Sequence, residues 1–212
     1  EYSKETFLNN NLFDKFNFKS SGNYHKFDTN VDEVNFINDF IFISNNQSNK
    51  SNFDNDLNLL FRNINTYGDL SKKYKDDENY KVNSVLLLNT KYPLYKKNNL
   101  GKKFLTPIAS FRYSPNKGLN QKNDKTLLNF YDLFQLDRIN NKTVEEGASV
   151  TLGLEYKNQD KLNKEKLKFG FAMNFRTNED DDLPISSSLG QKTSDLIGYS
   201  GINITENLSF DY

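Results

Sequence analysis

The chain of 212 residues has no cysteine, no tryptophan and a single histidine, His25. Without cysteine there is no disulfide framework, no thiolate zinc site and no thiol nucleophile. One histidine is too few for a histidine-based metal cluster or for most catalytic triads. We therefore predict no metal site, no cofactor and no catalytic residue, and we expect that the protein is not an enzyme.

An excess of positive charge is also missing. Lysine and arginine number 28, aspartate and glutamate number 28, and the formal net charge is zero. Proteins that bind nucleic acid usually carry a basic face that attracts the phosphate backbone. The charge balance therefore argues against a nucleic-acid partner.

Long hydrophobic runs are absent as well. The longest are four residues, at 40–43 and 85–88, whereas a membrane-spanning helix needs about 20. No leader peptide is recognisable, the chain begins with Glu1, and it ends inside an alternating pattern. We expect from this an excised segment of a larger protein.

Aromatic residues, in contrast, are abundant. The 18 Phe and 12 Tyr make up 14% of the chain, although all hydrophobic residues together reach only 35%. Disordered chains are poor in aromatic residues. We therefore predict an ordered protein with a thin core in which large aromatic side chains are packed or displayed.

The strongest pattern is an alternation of apolar and polar residues with period two, which is typical of β-strands. At 148–157 every even position is apolar, and at 167–176 Leu, Phe, Phe, Met and Phe share one side. The residues between them, 158–166, are polar apart from Leu162. These two segments are predicted to form a hairpin.

Other segments extend the pattern along the chain. Further strands are predicted at 105–113, 56–65 and 36–43, the last apolar on both faces, and weaker candidates at 12–19, 81–89 and 199–212. A helical turn is expected only near 127–136. Polar connections are predicted at 45–52, 68–79, 95–103, 115–125 and 177–194. The total is about eight to ten strands.

Long polar connections between strands with one apolar face favour an antiparallel transmembrane β-barrel. Such barrels alternate short periplasmic turns with long outer loops and direct apolar side chains towards lipid. A soluble β-sandwich or β-solenoid has the same alternation, with the apolar face turned to a core. The alternation alone does not distinguish lipid from core, so both architectures remain open at this point.

Five motifs follow one another in the second half of the chain. They are LTPIASFRYSP at 105–115, DLFQLDRI at 132–139, VEEG at 144–147 leading into LGLEY at 152–156, DLPISSSLG at 182–190, and TSDLIG at 193–198. In order and spacing they resemble the barrel domain of the LPS-assembly outer-membrane protein family (LptD/OstA). Asp132 and Asp137 replace the asparagines that are usual there. Residues 1–103 carry less of the resemblance, with KYPL at 91–94, and are assigned to the same domain by continuity.

The resemblance implies a transport function without catalysis. Members of the family receive lipopolysaccharide from a periplasmic transport bridge and insert it into the outer leaflet of the Gram-negative outer membrane. Their large barrel is plugged by a lipoprotein called LptE. By this resemblance residues 1–212 are one incomplete part of the barrel domain, located in the outer membrane. The alternatives from other classes are an outer-membrane diffusion porin and a β-rich surface adhesin.

Charged residues within the predicted strands and the motifs are the candidates for a functional role. An arginine inside a lumen can pair with a phosphate of the lipopolysaccharide or with a neighbouring carboxylate. The candidates for the lumen or for lipopolysaccharide contact are Arg112, Arg138, Glu155, Lys168 and Arg176. An acidic run at 179–182 is interpreted as solvated, with divalent-cation binding as the less favoured alternative.

Overall fold

A computed structural model describes residues 1–8, 12–47, 52–71, 76, 78–119, 121–123, 125–139, 144–205 and 208–212. Within these residues the protein is all-β, with two short 3₁₀ turns at Asp132–Phe134 and Ile185–Ser187. The strands are β1 (Tyr2–Phe7), β2 (Lys15–Lys26), β3 (Asp32–Gln47), β4 (Asp54–Asp69), β5 (Asn79–Lys91), β6 (Leu94–Asn98), β7 (Gly101–Ser114), β8 (Gly147–Asp160), β9 (Glu165–Arg176), β10 (Ile197–Thr205) and β11 (Leu208–Asp211).

The eleven strands of the described residues belong to one antiparallel sheet in the order β1-β2-β3-β4-β5-β7-β8-β9-β10-β11, with β6 paired to β7 outside this path. Strands β5 and β6 both pair with β7, so they form one strand line that is interrupted at Tyr92 and Pro93. Proline has no N–H to donate to the ladder, which explains the interruption. In the described residues β1 and β11 form the two edges, and the sheet is not closed.

Between β6 and β10 the two ends of the sheet carry connections of very different length. At one end, residues 99–100 join β6 to β7 and residues 161–164 join β8 to β9. At the other end, residues 115–146 join β7 to β8 and residues 177–196 join β9 to β10. We name these the short-turn end and the long-connection end.

The register of the strands separates the two faces of the sheet. One row across five strands consists of Leu57, Leu88, Phe111, Val150 and Phe175. The adjacent row, one residue along each strand, consists of Asp56, Asn89, Ser110, Thr151 and Asn174. Because successive residues of a strand point to opposite faces, the hydrophobic row and the polar row lie back to back.

We name the two sides by what lies over them. The hydrophobic row belongs to the uncovered face, where large side chains remain open; Phe111 and Phe175 are each 40% exposed there. The polar row belongs to the covered face, over which the two long connections fold. Phe130 and Leu133 from one connection and Leu183 and Leu189 from the other are buried there against Ile108 and Ala172 of the sheet.

Small residues on the covered face make room for the aromatic side chains of residues 125–139. A Cβ at Gly153 would lie 2.8 Å from Cζ of Phe134, and one at Gly170 would lie 3.2 Å from the ring of Phe130. The core of the protein therefore lies between the sheet and its own connections.

The predicted all-β antiparallel fold is confirmed, and so is the hairpin of β8 and β9. The prediction of a connection at 95–103 is wrong, because these residues belong to β6, a two-residue turn and β7. Strand β1 was not predicted either, and the part of the chain that the structure describes has eleven strands instead of the expected eight to ten. Among the described residues no helix is long and apolar enough to cross a membrane.

Candidate functional site

The covered face holds a cluster of three buried arginines around one buried carboxylate. Arg138 donates from Nε to Oε1 of Glu145 at 2.8 Å, and from Nη2 to Oε2. Arg176 donates from Nη1 to the same carboxylate at 3.2 Å. Arg112 donates to the main-chain oxygen of Glu145 at 2.9 Å, with its Nη1 3.9 Å from the carboxylate. We call these four residues the Glu145 cluster.

The sheet register positions two of the arginines. Arg112 on β7 and Arg176 on β9 flank Ser149 on β8 in a single row of the covered face. Arg138 comes from the connection above and also donates to Ser149 Oγ at 3.0 Å and to Asn174 Oδ1 at 2.7 Å. The cluster therefore ties Arg138 and Glu145 to three neighbouring strands.

The charge of Glu145 depends on these arginines. Burial alone raises the pKa of its carboxyl, because a charged group is disfavoured away from water. The positive charges of Arg112, Arg138 and Arg176 outweigh this effect and lower the pKa of Glu145 to about 2. The carboxylate is therefore ionised at neutral pH and neutralises part of the buried positive charge.

A second buried ion cluster lies on the same face, towards β3 and β4. Arg62 of β4 donates from Nε to Oδ1 of Asp39 at 2.7 Å, and from Nη2 to Oδ2 of Asp39 at 2.8 Å. Its Nη2 also donates to Asp137 at 2.9 Å. Arg62 is fully buried, so its two carboxylate partners provide the compensation that a buried charge requires.

Asp137 and Arg138 are adjacent in the chain and reach in opposite directions. Asp137 binds Arg62 on β4, while Arg138 binds Glu145 and the polar side chains of β8 and β9. The dipeptide thus spans the covered face between the two ion clusters. We call residues 125–139 and 144–146 the strap, because they cross the sheet and are fixed at both sides.

Tyrosines and a further carboxylate lie beside the strap. Tyr199 of β10 donates its hydroxyl to Oε1 of Glu155 at 2.6 Å, and the hydroxyl of Tyr131 is 3.0 Å from the same oxygen. Lys157 forms an ion pair with Glu155 at 2.9 Å. Lys168 lies further towards the short-turn end, 3.2 Å from Asp211 and 3.7 Å from Glu165.

An open cavity of about 680 Å³ lies on the covered face next to the strap. Its wall combines charged and amide groups with apolar and aromatic ones. The residues that line it include Lys19, Lys91, Lys157, Asp56, Asn89, Ile41, Leu87, Tyr131 and Phe134. Asn89 donates to Asp56 at 3.1 Å and to the main-chain oxygen of Phe134 at 3.1 Å, while its own Oδ1 has no partner in the described part of the chain.

The structure brings all five predicted site residues to one side of the sheet. Arg112, Glu155, Lys168 and Arg176 lie on the covered face, and Arg138 lies in the strap above it. Arg112, Arg138 and Arg176 meet in one cluster, whereas Glu155 and Lys168 lie apart from it.

Sequence reasoning missed Glu145 and the ion cluster of Arg62, Asp39 and Asp137. The sequence did contain a signal for the ion cluster. Asp39 lies among Ile37, Ile41 and Ile43. Arg62 lies between Leu60 and Ile64. Single opposite charges within two apolar strand faces favour mutual pairing, since an unpaired buried charge is expensive. For Glu145 the sequence offers only its place in the VEEG motif.

The acidic run at 179–182 is partly neutralised by the protein itself. Asp182 forms an ion pair with Lys117 at 2.7 Å, and Asp180 lies 3.6 Å from Nη2 of Arg176. In the described ranges no group of three or more His, Cys, Asp or Glu side chains is arranged to hold a metal ion.

Comparison with protein-family models found no match to this chain, and comparison with curated proteins found none either.

Proposed function

We propose that this chain forms part of the wall of an outer-membrane β-barrel that receives lipopolysaccharide from the periplasm and inserts it into the outer leaflet. The observation that carries the proposal is the pairing of an uncovered hydrophobic face with a covered charged face in one sheet. In a β-sandwich a second sheet would pack on the hydrophobic face. Here the protein's own connections pack on the opposite, charged face and leave the hydrophobic face open.

Lipid is the environment that fits the uncovered face best. Soluble monomers rarely expose contiguous apolar patches larger than a few hundred Å². A second row runs from Phe16 through Phe42, Leu59 and Leu86 to Tyr113. Together with the row through Phe111 it extends the open apolar surface over seven strands. Acyl chains can solvate this surface without a second protein layer.

The edges and the ends of the sheet agree with this proposal. An open sheet cannot stand in a bilayer, because the unpaired N–H and C=O groups of its edges would meet hydrocarbon. We therefore propose that β1 and β11 pair with further strands of a larger barrel. From β6 to β10, short turns at one end and long connections at the other match the periplasmic and outer ends of such barrels.

The covered face provides a polar surface suited to a lipopolysaccharide saccharide. The cavity beside the strap offers lysine, carboxylate and amide groups together with aromatic rings, and the Oδ1 of Asn89 accepts no hydrogen bond within the described part of the chain. In this proposal the saccharide passes along the covered face, and the barrel shares its remaining lumen with the plug lipoprotein LptE. The periplasmic transport bridge would deliver the substrate at the short-turn end.

The motifs that carry the family resemblance support the same proposal. Those at 132–139 and 144–147 hold Arg138 and Glu145 of the strap, the motif at 105–115 holds Arg112, and the motif at 182–190 holds Leu183 and Leu189 of the second connection on the covered face. Residues that lie far apart in the sequence therefore form one structural unit at the proposed lumen.

Depletion of the full-length chain from cells tests the transport function. We expect newly made lipopolysaccharide to be lost from the cell surface, as measured with a membrane-impermeant label on its saccharide. Complementation with Lys19→Gln and Lys91→Gln, which change the cavity wall without entering the buried clusters, should slow delivery. Alanine at Arg112 and Arg176 should slow it further; unchanged export by these variants would contradict a role of the covered face in transport.

A diffusion porin is the second candidate, and the open cavity beside a folded-in strap is the observation that favours it. A porin would conduct ions in a planar bilayer without a plug lipoprotein. The proposed lipopolysaccharide transporter, in contrast, would require LptE for its function. An adhesin would purify without detergent. Either result, combined with normal surface lipopolysaccharide after depletion, would replace the transport proposal.

A further inference from the structure

Lysines are concentrated on the two hairpins at the short-turn end. Residues 91–105 and 155–168 contain ten lysines and three acidic residues, although the whole chain has zero net charge. The lysines are Lys91, Lys96, Lys97, Lys102, Lys103, Lys157, Lys161, Lys164, Lys166 and Lys168. We call them the basic rim. Eight of them lie on neighbouring strands, because β7 pairs with β5, β6 and β8, and β8 pairs with β9; Lys161 and Lys164 lie in the turn between β8 and β9.

The register places several of these lysines directly opposite one another. Lys96 on β6 faces Lys103 on β7, and Lys97 faces Lys102 in the next position. Lys157 on β8 faces Lys168 on β9. Like charges directly opposite on neighbouring strands are destabilising. Three such pairs within two hairpins are unfavourable unless a negative charge joins them.

Within the described residues the protein supplies that negative charge for only one of the three pairs. Lys157 has Glu155, and Lys168 has Asp211 and Glu165. Lys96 and Lys103 form no ion pair with any residue that the structure describes, and both side chains are exposed. The Lys96–Lys103 pair is therefore a site of positive charge that calls for an anion from outside the chain.

The position of this pair indicates what the anion is attached to. On β7, Lys103 continues the uncovered face beyond Leu105, and on β6, Lys96 continues it beyond Leu94. The rings of Tyr156 and Phe169 stack at 5.1 Å on the strands beside them. Lysine at the margin of a lipid-facing surface, next to aromatic rings, lies at the level of the headgroups.

We propose that Lys96 and Lys103 bind the phosphates of anionic phospholipids in the membrane leaflet at the short-turn end. This inference rests on the proposed function, since it requires the uncovered face to lie in a bilayer. Each lysine contributes a compact charge with three donors, which suits a phosphate that changes orientation. The bound phosphate also relieves the repulsion between the paired lysines.

The test uses the full-length chain purified in dodecyl maltoside. Short-chain phosphatidylglycerol and phosphatidylcholine are titrated in, and the bound lipid is counted by native mass spectrometry. We expect preferential binding of phosphatidylglycerol, weakened about thirtyfold in Lys96→Gln/Lys103→Gln. The matched control Lys125→Gln/Lys192→Gln removes two exposed lysines from the long-connection end and should bind like the unmodified chain.

The unfolding temperature provides a second readout, because the difference between the variant and the unmodified chain should depend on anionic lipid. Without anionic lipid, Lys96→Gln/Lys103→Gln should unfold at a higher temperature than the unmodified chain, because the repulsion is gone. With phosphatidylglycerol the unmodified chain should gain more stability than the variant. A variant that is less stable in both conditions would overturn the proposal.

Three other outcomes would also overturn it. Equal binding of both lipids by a chain that requires detergent would reject the headgroup site but leave the membrane proposal intact. Displacement of the lipid by inorganic phosphate at millimolar concentration would indicate a site for free phosphate instead. A chain that remains soluble and monomeric without detergent would reject both the headgroup site and the membrane proposal.

Discussion

Replacing Glu145 with glutamine should release the strap from the sheet. The substitution preserves the shape of the side chain but removes the carboxylate with which Arg112, Arg138 and Arg176 all form ion pairs. Removing one partner from a buried ion pair typically costs about 3–5 kcal/mol, because the remaining charge stays buried without compensation. That cost corresponds to an increase of roughly a hundredfold or more in the population with a detached strap.

Limited trypsin digestion of the full-length chain in detergent measures this population. When opening and closing are fast relative to cleavage, the cleavage rate follows the open fraction. Lys122 and Lys125 lie in the connection that contains the strap, and mass spectrometry of the fragments identifies cleavage there. We expect Glu145→Gln to be cut at these sites at least a hundred times faster than the unmodified chain.

The neighbouring glutamate provides the control. The side chain of Glu146 is exposed, and only its main-chain oxygen contacts Arg176. Exposed substitutions usually change stability by less than about 0.5 kcal/mol, so Glu146→Gln should change the cleavage rate by about twofold at most. Equal cleavage of the two variants would refute the conclusion that the Glu145 cluster anchors the strap.

Three further predictions concern the same face. Arg62→Met should lower the free energy of unfolding of the full-length chain by about 3–5 kcal/mol, and adding Asp39→Leu should recover much of this loss, because a buried pair can be replaced by apolar packing. A single variant as stable as the double variant would contradict this. Gly170→Val should lower the free energy of unfolding by about 1–3 kcal/mol, since its Cβ would lie 2.6 Å from the ring of Tyr199. An unchanged melting temperature would contradict this and show that the rings adapt freely. The difference in free energy of unfolding between the unmodified chain and Glu145→Gln should be constant above pH 4.5 and shrink towards pH 2. The reason is that folding lowers the pKa of Glu145 from its ordinary 4.5 to about 2. A difference that does not change with pH would contradict an ionic role of Glu145.

Strand positions were predictable where one face is apolar and the other is not. Alternation located β7, β8 and β9 because the hydrophobic side chains of the uncovered face recur at every second residue. β6 was missed because Lys96 and Lys97 give it the composition of a loop. β3 was found, but its faces were ambiguous, since phenylalanines occupy one side and isoleucines the other. The structure resolves this, with Ile37 and Ile41 buried and Phe36 and Phe40 exposed.

The site was predictable only in part, because it depends on contacts between distant residues. Arg112 and Arg176 could be assigned to one face from their strand positions. The pairing of Arg62 with Asp137 joins residues 75 positions apart through a connection that folds back over the sheet. No local pattern predicts that return, since the strap has only one 3₁₀ turn, at Asp132–Phe134, and otherwise irregular backbone. The role of Glu145 follows from the same return.

In the proposed barrel wall the uncovered face meets lipid while the covered face is directed away from it. The chain has no cysteine, so single cysteines can be placed along β7 and β8 in the full-length protein and spin-labelled. Ala109 and Val150 lie on the uncovered face, and Ser110 and Thr151 lie opposite each other on the covered face. Accessibility to oxygen, which concentrates in lipid, should be high at the first two positions and low at the other two in reconstituted bilayers. Equal accessibility at all four positions, or access of a water-soluble nickel reagent to Ala109 and Val150, would contradict the account.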